Sequence, residues 1–273
     1  MTSHTALASA PAGADLGAAR ISAVGMLKSE WTKLWSVRSL WISLTAAFAL
    51  TIGLCSYMII DGQMLGSDDG GGSIPFGWTA IYPIGMLILV IHGVLTITSE
   101  YSTGSIRTSL VAAPRRTGLL LSKAAVLTAV TTVLGALMSV LLYTLLQFAG
   151  TVPSARGMSL FDPDMFWGVL GGTLVLPYGA LFGLALGGLL RNAAAAIALY
   201  FGVFQLGPQI FPAFLPDGLA HLVDYMPLAA IDVMRAAGLS TEPYGVGVAV
   251  VVLLAWLVML GGATWWLLKR RDV

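Results

Sequence analysis

The side chains able to do chemistry in this 273-residue chain are few and scattered. The three histidines, His4, His92 and His221, fall in three different segments, and no HExxH pairs two of them for a zinc ion. No serine sits in a GxSxG elbow. No GxxxxGKS/T loop is there to cradle the phosphates of ATP. The single cysteine, Cys55, cannot make an intramolecular disulfide and reads as a small apolar packing residue. The Asp-Gly run at 68–72 lacks the spaced oxygens and closing glutamate of a calcium loop. The sequence therefore predicts no catalytic residue and no metal site in this chain.

What remains is a set of polar residues in unusual places. His92 is the one ionisable group deep in an apolar run, and such groups are functional candidates by default. The competing reading is a neutral histidine satisfied on a neighbouring helix. Gln205 and Gln209 invite the same two readings, lining an interior path with His92 or acting as hydrogen-bond glue between helices. No carboxylate lies at that depth to complete a proton relay, which disfavours an ion-coupled transporter. Glu100 is a lone acid at the head of a basic segment. It is placed to cap locally or to pair with Arg107 or with a basic residue near the N-terminus.

The elements that must hold these residues follow from composition. The chain is 57% hydrophobic and 10% charged, against about 25% charged in soluble domains. Too few charges exist to cover a soluble surface, so lipid must be part of the solvent. Six stretches lack Asp, Glu, Lys and Arg: 39–60, 70–99, 124–155, 165–190, 192–216 and 243–268. Each exceeds the roughly 20 residues that a helix needs to cross the hydrocarbon layer. Their apolar residues run continuously instead of alternating as barrel strands do. The expectation is an all-α polytopic membrane protein with six transmembrane helices over 39–270.

Basic residues orient it. With the N-terminus inside, the inner side holds Arg20, Lys28, Lys33, Arg38, Arg107, Arg115, Arg116, Lys123, Arg191, Lys269, Arg270 and Arg271, and the outer side only Arg156 and Arg235. This bias places both termini in the cytoplasm.

Residues 1–21 form an Ala/Gly-rich tail without the basic and apolar regions of a signal peptide. Residues 22–38 predict an amphipathic helix. At 100° per residue, Val24, Leu27, Trp31, Leu34 and Trp35 share one face and Ser29, Thr32, Lys33 and Ser36 the other. Tryptophans and lysines suit it to the membrane interface. It is either an anchor or an elbow helix that touches a partner, and Glu30, at the edge of the apolar face, is a residue an anchor does not need. Residues 99–123 form the longest inner connection, with a short helix expected over 101–112 and a stop at Pro114. A tight turn at Arg191–Asn192 joins the fourth and fifth spans. Residues 211–240 are too charged to span and too apolar for a free loop, so short half-inserted outer helices are expected, with Tyr225 and Pro227 fixing the turn between them. Pro208, Pro212 and Pro216 should break the end of the fifth span.

The order of parts resembles the permease subunit of bacterial type-2 ABC exporters of the six-helix kind. The matching pieces are SEWTKLWSVRSLW (29–41), SEYSTGSIRTSLVAAPRRTGLLLSK (99–123) and DYMPLAA (224–230). The middle piece carries most of the likeness, with its Glu, Gly, Arg, Pro-Arg-Arg and closing Lys. The resemblance implies a multi-pass protein of the bacterial cell membrane whose substrate moves outward and whose ATP and Mg are bound by a separate ATPase subunit. It implies that Glu100, Arg107, Pro114, Arg115 and Arg116 couple to that ATPase. Arg115 and Arg116 read equally as lipid-headgroup anchors. Glu30, Trp31 and Lys33 belong to the elbow helix, and Tyr225 and Pro227 to the outer gate. A second permease, identical or not, is expected as partner, together with lipid and without nucleic acid. A mostly apolar interior suggests a hydrophobic or amphipathic cargo. The alternatives are a secondary transporter or channel, or a non-transporting membrane anchor or assembly protein.

Overall fold

The computed structural model describes residues 22–61, 82–105, 116–149, 157, 159–235 and 244–270. All regular structure among them is helical. α1 (Ala23–Ser36) opens on Ser22, whose Oγ accepts the Gly25 N–H, and stops at Val37, an extended residue. That one-residue break redirects the chain into α2 (Arg38–Asp61). Then come α3 (Tyr82–Ser102), α4 (Arg116–Ala149) and α5 (Pro163–Leu190).

The fifth span is composite. It runs through α6 (Ala193–Leu199), a π-helical stretch (Tyr200–Gln205), α7 (Gly207–Ile210) and a 3₁₀ turn (Phe211–Ala213). Short α8 (Asp217–Ala220), a second 3₁₀ piece (His221–Tyr225) and α9 (Pro227–Arg235) lead to α10 (Val246–Arg270).

Six helical stretches are long and apolar enough to cross a membrane: Arg38–Tyr57, Ile84–Ser102, Thr117–Phe148, Met165–Leu190, Ala193–Ala213 and Val246–Arg270. Ile42, Leu137, Val251 and Val258 stand exposed on their outer faces, a surface that only lipid or another apolar surface can cover. The chain is an all-α, multi-pass membrane protein. The expectations for the tail 1–21, for Arg107, Pro114 and Arg115, for the side chain of Arg116 and for residues 236–240 lie outside the described residues.

α5 is the hub. In its apolar window 72% of residues are buried, against 17% in α10, and it packs on α3, α4, α9 and α10. Hydrophobic association is weak where the solvent is itself apolar, so close backbone packing must replace it. Gly179, Gly183 and Gly187 recur every four residues and so share one face of α5. A Cβ at Gly183 would overlap the Val90 carbonyl oxygen of α3, and a Cβ at Gly93 of α3 would overlap the Ala180 carbonyl oxygen. On another side Pro177 supplies no N–H to the Thr173 carbonyl, and Gly135 of α4 closes on that carbonyl. Thr264 of α10 donates to the Ala185 carbonyl at 2.7 Å. Phe182 completes the contact with edge-on rings of Phe204 and Tyr200, centroids 4.9 and 5.9 Å away.

Two local breaks follow from sequence. Arg191 takes the left-handed conformation (φ 55°) and returns its N–H to the Gly187 carbonyl, while the Asn192 side chain caps α6 through the Ala195 N–H. This is the expected tight turn. The fifth span does break near its prolines, but the irregularity begins earlier, at Tyr200. There the Leu206 N–H bonds the Phe201 carbonyl, an i to i+5 bond.

Candidate functional site

Charged residues from three separate segments converge, among them Glu30, Lys33 and Glu100, which the sequence singled out. Lys123 of α4 donates to Glu30 of α1 at 2.7 Å and to Glu100 of α3 at 2.6 Å. Lys33, one turn after Glu30, donates to Glu30 at 2.9 Å and to Glu100 at 3.3 Å. Two carboxyls and two amines thus form a closed quartet. It is buried at one end: the side chains of Lys123, Glu30 and Glu100 are 3%, 6% and 12% exposed, and that of Lys33 44%. A buried ion pair is tolerated only with such mutual satisfaction.

Local structure explains the convergence. α1 crosses α4 and contacts α2. Leu34 and Glu30 point inward, while Val24, Leu27 and Trp31 remain exposed. The expected apolar face is therefore split, its Leu34 edge packing on the bundle. Trp31 packs edge-on against Trp35, which stacks on Trp41 at 4.6 Å across the break at Val37. Burial works to lower the Lys33 pKa. The Glu30 hydrogen bond and the Glu100 charge outweigh it, holding the ammonium above its ordinary 10.5. Glu100 thus pairs with a basic residue near the N-terminus, one of its three expected arrangements, and more closely with Lys123, which was not among them.

Beside the quartet lies a cavity of about 500 Å³, lined among others by Lys33, Leu34, His92, Leu95, Glu100 and Lys123. His92 is only 4% exposed, and neither ring nitrogen has a hydrogen-bond partner among the described residues. No neighbouring helix among the described residues satisfies it. Gln205 and Gln209 do not line this cavity. Gln205 accepts from the Tyr200 hydroxyl in its own π-helical stretch at 3.2 Å, and Gln209 is exposed. The three residues grouped as one candidate path are thus not brought together around that cavity.

At the opposite end the chain breaks where expected. Met226 is extended between the 3₁₀ piece and α9, which Pro227 begins. The Tyr225 ring stacks on Tyr244 at 5.3 Å, and its carbonyl accepts the Trp256 indole N–H at 2.9 Å. The neighbouring Asp224 carbonyl accepts the Tyr244 hydroxyl.

Sequence reasoning passed over two residues. Lys123 was visible as a cation abutting a long apolar run, a position that demands a partner. Arg191 lies 4.9 Å over the Tyr101 ring, bringing the α5–α6 turn to the end of α3. Its left-handed backbone conformation could not be read from an arginine.

No curated protein matches the chain. The family model described as ABC-2 family transporter protein matches residues 26–207, two thirds of the chain, and so takes in all four members of the quartet and the whole of the α5 hub. A helical bundle of six spans with a charged cluster at one end is what remains to be named, and with that match the chain belongs to the ABC-2 transporter family and is a membrane permease of an ABC transporter.

Proposed function

We propose that this chain is the membrane half of an ATP-driven exporter in the bacterial cell membrane, with both termini and the charged quartet on the cytoplasmic side. A separate ATPase subunit binds ATP and Mg and docks on the connection between α3 and α4, residues 99–123. A second permease completes the complex, and the cargo is hydrophobic or amphipathic. This chain contributes no catalytic group of its own.

The observation that carries this reading is the quartet. Glu100 and Lys123 stand at the two roots of the 99–123 connection, and both are tied to α1 through Glu30 and Lys33. A push on the connection is therefore delivered to α1, α3 and α4 together. From α3 it passes to α5, because backbones in contact at Gly93 and Gly183 leave no slack. A transporter driven by an external motor needs such a stiff joint between docking loop and spans. At the far end, the short helices of 211–235 form the outer gate, hinged at Tyr225 and Pro227.

The test is cross-linking from single cysteines placed along 101–113 in a Cys55→Ser background. The expected result is capture of the ATPase in assembled complexes from several of these positions. Capture from none of them, with cross-links elsewhere intact, would reject the docking assignment.

A further inference from the structure

The cavity beside the quartet holds polar atoms that the fold does not satisfy. Both His92 nitrogens lack a partner among the described residues, and so does Glu100 Oε2, although Glu100 Oε1 accepts from both lysines. Buried polar atoms are otherwise almost always paired. A carboxylate oxygen asks for a donor, and a neutral imidazole offers one donor and one acceptor. His92 precedes Glu100 by two helical turns, so the two groups are separated by about 12 Å along α3. The cavity's volume suits a small-molecule head. It lies where α1 bends into α2, and Leu95, partly exposed between the two polar levels, lines it as well. The lining charges of the quartet cancel, which favours an occupant with no large net charge.

We propose that this cavity binds the head of an aminophospholipid from the adjoining leaflet. The ammonium donates to Glu100 Oε2 and the phosphate meets Lys33, the most exposed of the four charged side chains. An ester carbonyl deeper in the lipid accepts from the His92 N–H. The acyl chains continue along the apolar surface of α3. A choline head has no N–H to give Glu100, and a glycerol head has no cation, so both bind more weakly. The inference rests on the cavity and not on ATP-driven pumping. Its test needs no ATPase, so its failure and a failure of the docking assignment are read separately.

The experiment uses the purified full chain in nanodiscs of phosphatidylglycerol containing a trace of photoreactive phosphatidylethanolamine or of phosphatidylcholine carrying the same acyl label. Labelled peptides are identified by mass spectrometry. Phosphatidylethanolamine should label segments 30–39 and 92–105 in preference to phosphatidylcholine. His92→Phe should lower that labelling about five-fold, the worth of one hydrogen bond. Leu95→Trp, which puts a bulky ring into the cavity between His92 and Glu100, should lower it further. Should Leu95→Trp fail to fold, His92→Phe carries the test. Equal labelling by the two lipids, or phosphatidylethanolamine labelling undiminished in His92→Phe, would overturn the proposal in favour of a water-filled cavity. Competition by soluble glycerophosphoethanolamine as strong as by the lipid would reassign the site to a soluble amine phosphate.

Discussion

Lys123 Nζ lies 2.7 Å from Glu30 Oε2, a contact between side chains 3% and 6% exposed that joins residues 93 positions apart. Removing one member leaves a buried charge without compensation. Lys123→Met should therefore destabilise the detergent-solubilised protein by about 3–5 kcal/mol. Adding Glu30→Gln to Lys123→Met should recover part of that loss. Thermal unfolding of the two single variants and the double variant gives the coupling; strictly additive losses would mean that the pair does not act as one.

Glycines on the α3–α5 contact should be intolerant where those on lipid-facing surfaces are not. Gly183→Leu drives a side chain into the Val90 backbone, which cannot yield as a flexible side chain would. A loss of about 3 kcal/mol or more is expected, at the upper end of overpacking costs. A Cβ at Gly262 of α10 meets nothing within 4 Å. Gly262→Ala should be neutral or stabilising by up to about 1 kcal/mol, the helix-propensity difference. Melting temperatures of the two variants decide this, and similar losses in both would contradict the packing assigned to α5.

The quartet should have an alkaline limit. Because the folded Lys33 pKa is raised, its ammonium contributes stability that is complete below the ordinary value of 10.5 and is lost as pH rises through the higher folded value. Melting temperature followed from pH 8 to pH 12 should fall above about pH 10.5. Lys33→Arg, which stays charged throughout, should flatten that fall. A profile unchanged by Lys33→Arg would assign the alkaline loss to other groups.

Depth measurements separate the faces of α1. Val24, Leu27 and Trp31 are exposed, yet two are aliphatic and one is an indole suited to the headgroup level. Spin labels at these positions in nanodiscs should be protected from a water-soluble relaxant, whereas labels at Ser29 and Thr32 should be accessible to it. Equal accessibility around the helix would place α1 in water.

The Trp256 indole holds the Tyr225 carbonyl at the break between the short helices. Trp256→Phe should loosen residues 221–235 and raise their hydrogen exchange about five-fold, the effect of one lost hydrogen bond. Uniformly fast exchange across 217–235 in the unaltered protein would mean that these helices do not persist. In the assembled transporter, slow exchange that ATP leaves unchanged would remove the proposed gating role.

The sequence by itself determined the class of molecule, because runs of apolar residues longer than the bilayer is thick admit one kind of backbone solution. It also marked the right anomalies. Glu30 stood out on an amphipathic face, Glu100 stood alone among basic residues, and the prolines at 208, 212 and 216 announced a broken span. Each of these signals is local, since it depends on periodicity or on which groups a short segment cannot satisfy. Only the tertiary structure decided the partners. Nothing in the spacing links Lys123 to Glu30, and the repeat of Gly179, Gly183 and Gly187 does not say which helix comes against it. The reason is physical: six apolar helices are nearly interchangeable in lipid, and their neighbours are chosen by shape and by a few buried charges. Those terms act between residues far apart in the chain, so no single segment contains them.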